Sequence, residues 1–155
     1  MKVAEALALR ADAQRRVEQL RSRIAANARY QEGEEPSEDA GALLTEAGEV
    51  LDELEDLIRR INRTNAETPL GEHGTLTDAL ARRDVLRLRH SLLVGAADAA
   101  AGRHGVHHRQ LRSELRDFAA LPVRELRTQA DDVARTLREL DTAVQQANWT
   151  VELLE

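Results

Sequence analysis

Apolar positions recur along this chain in steps of three and four, most regularly towards its end. Val123, Leu126, Ala130, Val133, Leu137, Leu140, Val144, Ala147, Val151 and Leu154 follow that spacing without interruption. Such a seam lays one apolar stripe along a helix and calls for a partner helix packed against it. A helix over 122–154 would be about 48 Å long, more than a compact ball can bury. The same spacing appears in Val3, Ala6, Arg10, Ala13, Val17, Leu20, Ile24 and Asn27, predicting a first helix over 2–29. It appears again in Leu43, Ala47, Val50, Leu54, Leu57 and Ile61, predicting a second over 39–64. Leu44, Leu51 and Ile58 widen that second stripe and suggest two helical neighbours rather than one. A third helix over 76–101 spreads its apolar residues over two lines, Ala81, Val85, Leu88 and Leu92 on one and Leu86, Leu93, Ala97 and Ala100 on the other. Its alanine-rich end suits close helix approach, either inside the bundle or between copies.

The breaks between these segments are marked by turn residues. Gly33 and Pro36 interrupt the first pair, and Ser37, Glu38 and Asp39 supply an N-cap with acids in the first turn. Asn62, Thr64, Asn65 and Thr68 lead into Pro69, Gly71 and Gly74, and Thr75 with Asp78 resembles a capping box. Residues 102–121 are expected to form an irregular or hairpin-like arm, ended by Pro122 at the first position of the last helix. The expected fold is all-α: an elongated antiparallel helical bundle or coiled coil of about four long helices, forming a single domain over 1–155.

Charge adds a pairing hypothesis. From Tyr30 to Ile58 there are eleven acidic residues and no basic one, with Glu46, Glu49, Glu53 and Asp56 on one stripe. Arg83, Arg87 and His90 form the opposite stripe on the third helix. An antiparallel hairpin of the two would set Asp56 against Arg83, Glu53 against Arg87 and Glu49 near His90. Exposed pairs of this kind contribute at most about 1 kcal/mol each, so they would select a register more than stabilise it.

Composition narrows the chemistry. Tyr30, Phe118 and Trp149 are the only aromatic residues, so the core must be aliphatic and little aromatic lining is left for a small-molecule pocket. With no cysteine there are no disulfides, thiolate nucleophiles or cysteine metal sites. A net charge of −6 disfavours nonspecific nucleic-acid binding. The basic stretch from Arg82 to Arg116 has no interleaved aromatics, and pairing with the acidic helix explains it more simply. No signal peptide or membrane span is legible, since the near-apolar run Leu92 to Ala101 is far shorter than the ~18 residues needed. A cytoplasmic protein that binds neither membrane nor nucleic acid is expected.

No catalytic constellation stands out. No Glu-x-x-His pair, serine elbow or phosphate-binding glycine loop occurs. His104, His107 and His108 are weak metal candidates, read more simply as a solvated His/Arg-rich loop, and no cofactor is implied. The ligand-binding candidates are Arg10, Asn62, Asn65, Asp78, Arg83, Asp84, Asn148 and Trp149, polar residues of the seams and hairpin. Arg10 on a seam either snorkels to solvent or reaches an anion within the bundle.

KVAEALALRADAQRRVEQL, QEGEEP, INRTN leading to TLTDALARRDVLRLR, and RELDTAVQQANW together resemble the septicolysin-like family of small bacterial proteins. That resemblance implies a helical fold of uncharacterised function, and by its name a pore-forming cytolysin. The stripes themselves point to a self-associating structural or interaction protein without catalysis, with a homo-oligomer and an unidentified protein as expected partners. A small-ligand or anion binder is the alternative.

Overall fold

The computed structural model describes residues 1–103 and 116–155. The expected arm lies partly, and His104, His107 and His108 wholly, outside the described residues. The described residues form four α-helices, α1 (Val3–Asn27), α2 (Ala40–Glu67), α3 (Leu76–Ala100) and α4 (Val123–Thr150), with a 3-10 turn over Gly71–His73. The fold is an all-α helical bundle, as the periodicity requires. Its packing divides into two compact units, Met1–Thr77 with Gln146–Glu155, and Asp78–Gln145.

In the first unit α1 and α2 form an antiparallel pair. Leu20 packs with Leu43, Ala47 and Val50, while Ala6 packs with Ile61 and Leu153. Asn27 makes the turn between the helices. Its Nδ2 donates to the Arg23 carbonyl, and its Oδ1 accepts from Ser37 Oγ at 2.9 Å and from the Glu38 N–H at 3.0 Å. The polar end of the α1 seam is therefore a satisfied turn residue, 8% exposed. Asp39, rather than Ser37, caps α2, its Oδ1 accepting from the Gly41 and Ala42 N–H groups. Arg23 grips Glu38 with two hydrogen bonds, which hold the Glu38 carboxyl below its ordinary pKa.

Two helix ends differ from the sequence expectation. α2 does not stop at 64 but runs to Glu67, because Thr64 and Thr68 return their hydroxyls to the carbonyls of Arg60 and Thr64 and keep the helix wound. Beyond Thr68 a short loop folds back, with the Leu76 N–H on the Thr68 carbonyl at 2.8 Å and Gly74 at φ 79°. α4 does not run to 154 but ends at Thr150. Its last residues extend beside the start of α1: the Val3 N–H donates to Val151 O, the Leu153 N–H to Met1 O, and Lys2 pairs with Glu152 across an antiparallel bridge. The extended chain turns Leu153 inward instead of Leu154, the residue that an unbroken helical seam would bury.

In the second unit ion pairs tie α3 to α4. Arg87 lies 3.5 Å and Arg83 3.8 Å from Asp141, and Asp98 lies 3.4 Å from Arg127. Early positions of α3 thus meet late positions of α4, so these two helices are antiparallel. Ala97, Ala130, Leu140 and Val144 are buried in this unit. The predicted pairs Asp56 with Arg83 and Glu53 with Arg87 are corrected by these contacts. Asp56 binds Arg59 and Arg60 within its own helix, while Arg83 and Arg87 converge on Asp141. α4 carries a carboxylate beside its seam, Asp141, and the charge stripe on α2 gave no sign of that competitor.

Candidate interaction surface

Of the eight candidate ligand residues, Arg10, Asn62, Asn65, Asn148 and Trp149 belong to the first unit and Asp78, Arg83 and Asp84 to the second. Arg83 and Asp84 belong with Arg87 and Asp141 to an ion network on the second unit. In that network Arg83 serves as a counter-ion to Asp141. Asp78 is exposed at the start of α3 and takes part in a polar interaction. In the first unit, Asn62 is exposed, Asn148 is half-buried, and Trp149 is 67% exposed. Arg10 and Asn65 are half-buried, and Arg10 Nε and Asn65 Oδ1 are buried atoms without a hydrogen-bond partner. A groove of about 460 Å³ between α1 and α2 is lined by Leu9, Asp12, Ala13, Arg16, Val50, Glu53, Asp56 and Leu57, none of them a candidate. Its three carboxylates outnumber its one arginine, and that arginine already binds Glu46 at 2.8 Å. Among the described residues there is no cluster of histidine and carboxylate groups that could hold a metal ion.

Sequence reasoning missed a group of polar residues with a structural task. Thr64, fully buried, and Arg60 and Arg63 on α2 bind the main chain of Leu154 and Glu155. Lys2 holds the Thr150 carbonyl at 2.8 Å and Glu152 at 2.6 Å. The Lys2 contact, aided by the Met1 ammonium, keeps the Glu152 carboxyl below its usual range. A basic pair at i, i+3 on α2 opposite a C-terminal tail carried no periodic signal that would have revealed this.

The feature that remains without an intramolecular explanation is apolar. On α3, Val85, Leu88 and Leu92 are 56%, 70% and 73% exposed, on one line with exposed Ala81 and Ala99. On α2, Leu44, Leu51 and Ile58 recur at seven-residue intervals and are exposed as well. The second neighbour that the wide α2 stripe predicted does not cover them within the described chain. Among the described residues no helix is long and apolar enough to cross a membrane.

The DUF6847 family, described as a family of unknown function, matches residues 10–153. A crystal structure of a functionally unknown conserved protein from Corynebacterium diphtheriae is 42% identical, with a TM-score of 0.91 over 99% of both chains. No curated protein matches. Neither match mentions a septicolysin-like family.

Proposed function

We propose that this chain, which belongs to the DUF6847 family of unknown function, works as a self-associating interaction protein with no catalytic step. The observation that carries this reading is the pair of apolar helix faces, on α2 and α3, left in solvent by a chain that buries its other seams. Contiguous apolar surface on a water-soluble fold marks an interaction site more often than scattered single leucines do. Helices whose faces repeat every seven residues are suited to receive another helix. Native mass spectrometry of the untagged protein tests the reading: an oligomer without added mass supports it, and a monomer at all concentrations removes it.

A second reading, a small-ligand or anion binder, rests on the unpartnered buried Arg10 Nε and Asn65 Oδ1. Such atoms are costly without a partner, which an anion or a water could supply. A stoichiometric extra mass, or a melting temperature raised by phosphate or carboxylate anions, would favour this reading over the first.

A further inference from the structure

We infer that α3 is the self-association helix, and that it meets α3 of a second copy of this chain in parallel, along Ala81, Val85, Leu88, Leu92, Gly95 and Ala99. This deepens the self-association reading above and rests on it. The line alternates steps of four and three and contains no charged residue. In heptad terms Val85, Leu92 and Ala99 occupy a positions, and Ala81, Leu88 and Gly95 occupy d. A β-branched residue at a with leucine at d, as in Val85 and Leu88, is the combination that favours two parallel strands. The opposite side of α3 is held on α4 by the Arg87–Asp141 and Asp98–Arg127 pairs, so the exposed line is presented from a braced helix.

Gly95 leaves the line open to close approach. It stands inside α3, where glycine costs about 1 kcal/mol relative to alanine, yet a Cβ built there meets nothing within 4 Å. Among the described residues no neighbour requires the missing side chain. A second helix along the same line could therefore come close to the α3 backbone there.

Charge selects the partner and its direction. Arg82 and Arg89 flank the line on one side, and Asp84 flanks it on the other. In a parallel pair a g residue faces the e residue five positions later on the other strand, which sets Asp84 against Arg89 of the second copy, twice by symmetry. An antiparallel pair centred near Leu88 would instead bring Arg89 against Arg89. Among the described residues Asp84 has only long contacts, 3.5 Å to Arg83 and 3.7 Å to Arg87, and its side chain is 66% exposed. The competing α2 line places Glu55 between Leu51 and Ile58, so two copies of α2 would oppose like charges.

The absence of cysteine from the chain makes the test direct. Val85→Cys, Leu88→Cys and Leu92→Cys, each alone, are oxidised under native conditions at high micromolar chain concentration, with Ser22→Cys on exposed α1 surface as the control. Parallel pairing brings every position on the line to its own copy within the reach of a disulfide, so all three should give a covalent dimer and the control none. Native mass spectrometry of the unmodified chain is run beside them. A monomer there overturns both this assignment and the self-association reading. An oligomer in which none of the three cysteines cross-links overturns the α3 face and leaves self-association standing. Cross-linking at Leu88 alone overturns the parallel direction. Arg89→Asp should lower the dimer fraction and Asp84→Arg with Arg89→Asp should restore it, and failure of that rescue overturns the register.

Discussion

The hydroxyl of Thr64 binds the chain on two sides: it donates to the Arg60 carbonyl at 2.8 Å and accepts from the Leu154 N–H at 2.9 Å. One fully buried side chain thereby continues α2 and fastens the last residues of the chain beside it. Thr64→Val keeps the shape and removes both bonds, leaving the Leu154 N–H without its partner. A loss of about 1–3 kcal/mol is expected in denaturant unfolding, with Thr64→Ser recovering most of it. Equal stability of all three proteins would refute the role assigned to this hydroxyl.

Asp141 is the acceptor that Arg83 and Arg87 share. A double-mutant cycle of Arg87→Ala with Asp141→Ala should show a coupling of about 0.2–1 kcal/mol, as for exposed ion pairs, while Glu53→Ala with Arg87→Ala should be additive. Coupling to Glu53 in place of Asp141 would restore the register read from the charge stripes.

Gly48 lies in the middle of α2, with nothing within 4 Å of a Cβ built on it. Gly48→Ala should therefore stabilise the chain by about 0.5–1 kcal/mol, through helix propensity and a less free unfolded chain. A lower melting temperature would mean that some contact does need the bare backbone there.

Leu140 is 1% exposed and lies in the middle of the α4 seam. Leu140→Ala should cost about 2–5 kcal/mol. Leu51→Ala, on the exposed α2 line, should stay within about 0.5 kcal/mol in the monomer. Comparable losses in the two variants, measured at a concentration where the chain is monomeric, would contradict the burial pattern.

Acid should weaken the fold through three carboxylates held below their ordinary values. Glu38 is lowered by its hydrogen bonds with Arg23, Asp56 by Arg59, and Glu152 by Lys2. A depressed folded value means that the contribution is complete above the unfolded carboxylate range of about 4 and fades as pH falls through the folded value. Thermal melts should shift downward below about pH 4, and less so in a Glu38→Gln, Glu152→Gln double variant. An unchanged slope in that variant would show that these pairs do not carry the acid response.

Helix content was legible from the sequence because it is a local property. A stripe at three and four spacing needs only neighbouring residues to be recognised, so all four helices and most of their ends could be placed in advance. The errors came where a distant group acts. α2 extends past Thr64 because that residue is satisfied and buried, and α4 stops at Thr150 because Lys2 and the start of α1 capture the chain beyond it. A list of polar seam positions likewise carries no information on which of them share a space: Arg83 and Asp84 meet Asp141 and Arg87, groups outside the list.

The sequence by itself determined that this chain is helical, aliphatic in its core, and without cysteine chemistry. Those follow from composition and from a period that any helix must obey. Tertiary structure alone decided which carboxylate an arginine meets, that Leu153 rather than Leu154 turns inward, and that Val85, Leu88 and Leu92 remain in solvent. A periodic stripe states that a helix has an apolar face. It does not state what covers that face, because helix pairing depends on competition among all the stripes and charges of the chain.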